Sequence, residues 1–394
     1  MLDVPTAMSV DILTGVMRTK KPRVGRKLTE PLHKPSVDTV TVELGDRSYP
    51  IAIGVGLLDE VGQRLGPLRG SGRATVVTNA TVAQLYLDRV TTSLRAVGVT
   101  PTVIEIPDGE AHKNLQSLAF IYDRLVDARM ERDSPLLALG GGVIGDLTGF
   151  AAATFLRGVP FIQLPTTLLA QVDSSVGGKT GINHPAGKNL IGAFYQPRLV
   201  LIDIGTLHSL PRREFLAGLV EVIKYGVILD PDLFALIEDK LGRILDLDEG
   251  LVRHIVRQSC ALKAMVVQRD ERENDYRSIL NFGHTVGHAI ESLTEYKRYL
   301  HGEAVAVGMA IAAKLSAARG CCSTETMERI VALLRRAGLP VEVPPELLGS
   351  PLALTIEGDK KVASGKVKFV CIEQLGRTRF EYLTGTEIEE VAAR

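Results

Sequence analysis

Three of the eight histidines in this 394-residue chain lie between Asn281 and Glu303, in Asn281-Phe-Gly-His284-Thr-Val-Gly-His288 and in His301-Gly-Glu303. Neutral imidazole is the commonest protein ligand of a transition metal. His284 and His288 are four residues apart, so on a helix their rings share one face, a turn apart. Spacing alone makes that pair, with a nearby carboxylate, candidate metal ligands. The alternative is that His288 is a polar residue satisfied by its neighbours. Glu221 is a candidate carboxylate because it interrupts the apolar run Phe215-Leu-Ala-Gly-Leu-Val-Glu-Val-Ile. A carboxylate on such a background needs a partner. Two histidines, one glutamate and an open fourth position form a catalytic rather than a structural zinc pattern.

A second chemistry is written in Gly140-Gly-Gly142-Val-Ile-Gly145-Asp146. The match to G-x-G-x-x-G is weak alone, but here it follows a predicted strand and opens a predicted helix, residues 147–155. Glycines let the backbone approach a pyrophosphate, and a helix N-terminus favours its charge. A tight turn that only packs helix on strand is the bland alternative. No Asp or Glu stands about twenty residues later to hold a ribose. Asp108-Gly-Glu110, after the preceding strand, could hold ribose hydroxyls and would repel a 2′-phosphate, which favours NAD over NADP.

The segment from Gln171 to Asn189 is dense in Gly, Ser, Asn and Lys, with Lys179 and Lys188. Exposed backbone N–H groups beside lysines make an anion cradle; a solvated surface loop is the alternative. More cations follow at Lys224, Lys263, Arg277 and the Lys360-Lys361 pair. Lys224 is three residues after Glu221, on the same helix face. A substrate with more than one negative group would use such a set.

The elements that must hold these residues alternate at first. Residues 40–44 and 49–53 read as a strand pair with a turn at Gly45-Asp46. Residues 74–78, 102–106, 135–139, 159–164 and 199–203 read as further strands, with helices at 81–97 and 115–130. Such alternation implies a mostly parallel sheet with crossovers. After Pro211 the strand signal fades. Helices are predicted at 212–229, 231–245, 251–272, 284–295, 303–319 and 324–337, with Gly320 and Gly338 at C-cap positions. The expected fold is α/β: a Rossmann-like domain over 38–208 and an all-α domain over 209–394 that binds metal and substrate.

Length fits two domains. The formal net charge of zero argues against a nucleic-acid or membrane-surface partner found by charge. The sequence has no apolar run long enough for a transmembrane helix. Residues 1–37 carry a basic, proline-containing stretch without an apolar signal core, and a disordered tail is expected there. Cys260, Cys321, Cys322 and Cys371 form no C-x-x-C pair, so free thiols in a reducing cytoplasm are expected.

Taken together, the chain from about Thr39 onward resembles the 3-dehydroquinate synthase family. The resemblance is carried by Asp108-Gly-Glu-Ala-His-Lys113, Gly140-Gly-Gly-Val-Ile-Gly-Asp146, Pro165-Thr-Thr-Leu-Leu, Asp173-Ser-Ser-Val-Gly-Gly-Lys179, Ala186-Gly-Lys-Asn, Glu221-Val-Ile-Lys-Tyr-Gly226, Asn281-Phe-Gly-His-Thr-Val-Gly-His288 and His301-Gly-Glu. It implies Glu221, His284 and His301 as ligands of zinc or another divalent ion such as cobalt. His288 then faces the substrate. It implies NAD contacts at Asp108, Gly109, Glu110, Ala111, His112 and Lys113, and at Gly142, Val143, Ile144, Gly145 and Asp146. Further contacts are implied at Thr166, Thr167, Lys179, Lys188, Thr206, Leu207, His208 and Ser209. Substrate groups are implied at Asp173, Lys179, Asn189, Lys224, Lys263, Arg277, Asn281, His288 and Lys360. Arg157 resembles an arginine that reaches the neighbouring subunit's site, implying a homodimer.

The activity so implied converts 3-deoxy-D-arabino-heptulosonate 7-phosphate, a carboxylate and a phosphate in one molecule, to 3-dehydroquinate and phosphate. NAD is used transiently, phosphate is eliminated, hydride returns, and the opened ring closes by an intramolecular aldol step. Rival readings are a sedoheptulose 7-phosphate cyclase or aminocyclitol synthase, whose substrates lack the carboxylate. Others are a metal- and NAD-dependent polyol dehydrogenase, which would accumulate NADH, and a pseudoenzyme kept for binding.

Overall fold

The computed structural model describes residues 37–358, 362–363 and 365–394. The expectations for residues 1–36 and for Lys360 and Lys361 lie outside the described residues. Seven strands form the main sheet: β1 (Asp38–Val42), β2 (Tyr49–Gly54), β3 (Arg73–Thr78), β4 (Thr100–Glu105), β5 (Leu136–Gly140), β6 (Phe161–Pro165) and, after the hairpin below, β9 (Leu199–Asp203). Their order is β1-β2-β9-β6-β5-β3-β4. Every pairing is parallel except β1 with β2. β5, Leu-Leu-Ala-Leu-Gly, and β9, Leu-Val-Leu-Ile-Asp, are buried along their whole length. Continuous apolar strands are what a parallel sheet covered on both faces requires.

The covers are helices. α1 (Val61–Leu65), α2 (Ala80–Val82) and α3 (Asp88–Arg95) precede β4, α4 (Leu115–Asp127) precedes β5, and α5 (Gly142–Thr154) joins β5 to β6. Val76, Leu137, Leu139 and Ile162 pack with Val90 and Leu94 on one face. Val77, Leu136, Ala138 and Phe161 pack with Ile121, Leu125 and Leu147 on the other. Neighbouring residues of one strand thus serve opposite layers, as the pleat demands. The helix expected at 147–155 starts five residues earlier, so Gly142 and Gly145 belong to its first turns.

The chain from Arg212 onward is mainly helical, as the sequence implied: α6 (Arg212–Ile228), α7 (Pro231–Leu245), α8 (Glu249–Arg269), α9 (His284–Leu293), α10 (His301–Ala318) and α11 (Thr324–Arg336). Gly320 and Gly338 take left-handed φ of +70° and +80° past two of these helices, as C-cap glycines do. Two short helices, α12 (Ser350–Glu357) and α13 (Gly385–Ala392), were not anticipated.

Two sheets also depart from expectation. Part of the segment read as a glycine- and lysine-rich loop is an antiparallel hairpin, β7 (Lys179–His184) with β8 (Gly187–Phe194). The C-terminal part, expected to be all helix, also holds β10 (Val362–Ala363), β11 (Lys366–Gln374) and β12 (Arg377–Leu383) as an antiparallel sheet. Its tight turn is made at Gly376, φ +82°. α8 lies against β1 and β2, and the largest apolar cluster joins Ile51, Ile53, Val200 and Ile202 to α6, α8 and α10.

Candidate active site

Because six strands run parallel, their carboxyl ends lie on one edge, where ligands of such sheets bind. The 107–113 turn leaves β4 there, the glycine loop leaves β5, Thr166 and Thr167 leave β6, and residues 204–209 leave β9. Strand order reverses beside β3, with β4 on one side and β5 on the other. That crevice adjoins the glycine loop.

Gly141 is the N-cap of α5, and no side chain caps it. The first N–H groups of the helix are therefore directed at the crevice without a protein acceptor from that cap. A Cβ on Gly141 would fall 3.1 Å from Thr167 Cγ2, one on Gly142 3.1 Å from Ser174 Oγ, and one on Gly145 2.9 Å from Gln163 Oε1. Those contacts are packing of the loop and helix against their neighbours; what suits a pyrophosphate is the helix N-terminus without a side-chain cap. Around it, Thr81 Oγ1 donates to Asp108 Oδ2 at 2.9 Å and Asn183 Nδ2 donates to Glu110 Oε1 at 2.8 Å. Gly109 takes φ +105°, a backbone state open to glycine.

Not every expected nucleotide residue faces outward. Lys113 is buried and donates to Asp146 Oδ2 and Asn189 Oδ1, each at 2.5 Å. Burial pulls its pKa down, but the charges of Asp146 and Glu110 outweigh this and raise it. It ties the turn after β4 to α5 and to the hairpin. Thr206 donates to Asp203 O at 2.8 Å and accepts from Gln171 Nε2 at 3.0 Å. Leu207 and Ile144 belong to the apolar core, while Ala111, His208 and Ser209 are exposed.

The metal candidates come from three helices that touch almost backbone to backbone. A Cβ on Gly302 of α10 would fall 2.0 Å from Ala217 O of α6, and one on Gly308 would fall 1.9 Å from Gly283 O before α9. Only glycine allows that approach. It brings Glu221 of α6, His284 of α9 and His301 of α10 together, with one potential ligand atom from each within 4.8 Å of the others. His284 Nε2 is 3.6 Å and His301 Nε2 4.0 Å from Glu221 Oε1.

Glu221 is fully buried, and neither of its oxygens accepts a hydrogen bond. Lys224 forms an ion pair with Oε2, leaving Oε1 to the two imidazoles. Lys224 offsets the burial of the charge, and Oε1 remains as a lone-pair donor without a hydrogen bond. His284 Nδ1 lies 3.2 Å from Phe282 O. Burial, then Lys224 and the other two imidazoles, hold the His284 pKa well below the ordinary value, so its lone pair stays available to a metal. Burial would lower His301 too, but the hydrogen bond and charge of Glu291 raise it. Two imidazoles and a carboxylate oxygen within reach of one another form a donor set that fits a divalent ion.

His284 and His288, the pair that spacing suggested, are not joint ligands of either candidate set. A second set, His288, Glu291 and His301, is also close enough to hold an ion. There His288 is exposed, and both Glu291 oxygens already have partners: His301 Nδ1 at 3.1 Å and Lys188 Nζ at 3.0 Å. Glu221 keeps Oε1 free of any charged partner and facing two imidazoles, which makes the first set the better cation site. The His288 ring stands 5.4 Å from that of His284 and 5.9 Å from that of His301.

Beside this cluster lies a second charged network. Lys263 Nζ donates to Asp173 Oδ1 at 2.8 Å and to Asp173 O at 2.5 Å, and Tyr225 OH donates to Asp173 Oδ1 at 2.7 Å. Burial alone would raise the Asp173 pKa; Lys263 and Lys224, with the two donors, hold it well below the usual carboxylate range. Arg277 is buried and donates to Glu271 O at 2.6 Å and to Gly177 O at 3.3 Å, while its Nε has no partner. A Cβ on Gly177, φ +95°, would fall 2.5 Å from Arg277 Nη2.

Two acidic residues here have no role among the sequence-based candidates. Glu273 pairs with Lys179 and accepts from Asn281 Nδ2 at 3.0 Å. Glu291 joins His301 to Lys188. Its helical register with His284 and His288 was a visible signal. Glu273 sits in a turn and had none.

Arg157 is exposed, after the C-terminal end of α5. A 13-residue helix separates it from the glycine loop by about 20 Å along the axis. Leu156 and Arg157 hold φ of +48° and +65° before Gly158 at +123°, an uncommon run for non-glycine residues.

Comparison with known proteins places these observations. The chain matches the family models for the 3-dehydroquinate synthase N-terminal region over residues 103–217 and C-terminal region over residues 218–362. It is 53% identical over 352 residues to the 3-dehydroquinate synthase of Pelobacter propionicus, covering 89% of this chain and 98% of that protein. Its fold is similar to 2-epi-5-epi-valiolone synthase from Streptomyces hygroscopicus with NAD+ and Zn2+ bound, at TM-score 0.81 and 27% identity, covering 89% of this chain and 97% of that one. It is also similar to 2-deoxy-scyllo-inosose synthase complexed with carbaglucose-6-phosphate, NAD+ and Co2+, at TM-score 0.82 and 26% identity, covering 90% of this chain and all of that one.

Proposed function

The chain belongs to the 3-dehydroquinate synthase family, and we propose that it converts 3-deoxy-D-arabino-heptulosonate 7-phosphate to 3-dehydroquinate and phosphate, using NAD and a divalent metal. The observation that carries this reading is that nucleotide and metal candidates form one continuous site. Lys188 lies 3.9 Å from Glu110 of the nucleotide turn and 3.0 Å from Glu291, which holds His301. In this reading 38–208 is the nucleotide-binding part and 209–394 the metal- and substrate-binding part. NAD, cradled by 141–146, would supply a reversible hydride acceptor, and a zinc or cobalt ion on Glu221, His284 and His301 a Lewis acid for substrate hydroxyls.

The chain's own residues provide placement and charge. Lys263 and Arg277 supply cations for the substrate carboxylate. Asp173 fixes the Lys263 ammonium and keeps it beside Lys224. Lys179 and Asn281, now tied to Glu273, and Asn189 on β8 supply further donors to an anion. His288 faces the substrate rather than the metal. Such preorganised charge works best where water is excluded, and the burial of Lys224, Lys263 and Arg277 supports that.

A homodimer is part of the proposal. The strained turn holds Arg157 outward, too far along α5 to serve its own glycine loop, so it would reach the partner's site. A cytoplasmic location is supported by four cysteines that are free thiols. Among the described residues no helix is long and apolar enough to cross a membrane. A substrate panel tests the proposal. The heptulosonate phosphate should release phosphate, and sedoheptulose 7-phosphate should not. Equal release from both would replace this reading with the broader cyclase one.

A further inference from the structure

Glu291 is neither a metal ligand nor a substrate group in the reading above, yet it occupies a junction. It is 2% exposed and lies on α9 three residues after His288 and seven after His284. Its Oε2 takes the Nδ1–H of His301 at 3.1 Å, leaving Nε2 as the nitrogen that faces Glu221. Its Oε1 accepts from Lys188 Nζ at 3.0 Å. Lys188 leads the other way, to Glu110 at 3.9 Å and over the Tyr296 ring at 4.2 Å. A carboxylate behind a ligating histidine fixes its tautomer and strengthens it as a donor. Here the same carboxylate is partly neutralised by a lysine of the β7–β8 hairpin.

We propose that Glu291 is a positioning residue that orients His301 and, through Lys188, makes metal affinity depend on nucleotide occupancy. This rests on reading His301 as a ligand and Lys188 as a nucleotide contact. NAD draws Lys188 toward itself, the Glu291 charge then falls more fully on His301, and the metal is held more tightly. By reciprocity the metal tightens NAD to the same degree.

The test is cobalt affinity of the full chain, measured by chelator competition with and without saturating NAD. In wild type, NAD should lower the cobalt Kd about fivefold or more. Glu291→Gln, similar in volume but uncharged, should weaken cobalt about 10- to 100-fold without NAD and lose the NAD effect. Lys188→Met keeps the Glu291–His301 contact; without NAD it should bind cobalt more tightly than wild type. Wild-type cobalt affinity that ignores NAD would overturn the proposal, as would Glu291→Gln protein that binds cobalt normally. Should Glu291→Gln fail to fold, weaker cobalt binding by Lys188→Met would overturn it instead. No substrate enters these titrations, so their failure is distinct from a failure to release phosphate.

Discussion

Glu221→Gln separates the role of the metal from that of the fold. The side chain keeps its volume and loses its charge. In the wild type that charge is fully buried, paired with Lys224 and faced by two imidazoles, with no hydrogen bond to either oxygen. Losing an outer partner of a metal ligand costs about 10- to 100-fold in affinity, so losing a ligand itself should cost at least about 100-fold. At a free ion concentration 100 times the wild-type Kd, the ion stabilises the native state by about 2.7 kcal/mol. With Kd raised 100-fold, the same concentration gives only about 0.4 kcal/mol. Breaking the buried pair with Lys224 should separately cost about 3–5 kcal/mol. The assay is urea unfolding of each protein with and without the ion. The fold penalty cancels in each difference. A substituted protein that retains the full ion-dependent gain would refute Glu221 as a ligand.

Lys263→Met should raise KM for the carboxylate substrate far more than for a cyclase substrate without that group; equal losses on both would reject its assignment. Asp173→Asn leaves Lys263 without its charged partner, keeping only the Asp173 carbonyl, and should destabilise the protein by about 3 kcal/mol. Because the Asp173 pKa is depressed in the folded state, that contribution is present above its unfolded value near 3.9 and is lost as pH falls below it. Urea midpoints should therefore differ by a constant amount from pH 5 to 8 and converge in more acid solution; divergence toward acid would contradict the assignment. Mixing inactive Arg157→Ala with inactive Glu221→Gln should restore about one quarter of wild-type activity, because half the subunit pairs are mixed and each completes one site. No recovery after subunit exchange would remove Arg157 from the neighbouring site.

Strands whose apolar runs are buried on both faces, such as Leu136–Gly140 and Leu199–Asp203, were legible because burial leaves no choice of residue type. The helices after Pro211 were legible from their 3.6-residue spacing. The β7–β8 hairpin was not. Gly181 and Gly192 face each other there, and a Cβ on either would strike the opposite strand's carbonyl within 2.5 Å. Glycine, which local reading treats as a loop signal, is what permits that pairing. β12 was hidden for a different reason: Arg377-Thr-Arg-Phe-Glu-Tyr-Leu is exposed or half-exposed up to Leu383 and is held by its pairing with β11 rather than by its own pattern, whereas β11, Lys366–Gln374, carries a buried apolar run of its own.

The site divided in the same way. Glu221 announced itself as a carboxylate in an apolar helix. His301 could be joined to it only by resemblance, because it sits on another helix and no local spacing relates the two. His288 has the spacing of a ligand partner to His284, but the ligand geometry is decided by helix packing at Gly302 and Gly308.

In the proposed reaction NAD is consumed and regenerated within one turnover at a metal site. Purified chain holding one equivalent of NAD and one divalent ion, given a hundredfold excess of the heptulosonate phosphate, should release phosphate many times over with no lasting rise in NADH absorbance. Phosphate release that stops at one equivalent, or NADH that accumulates with product, would contradict it.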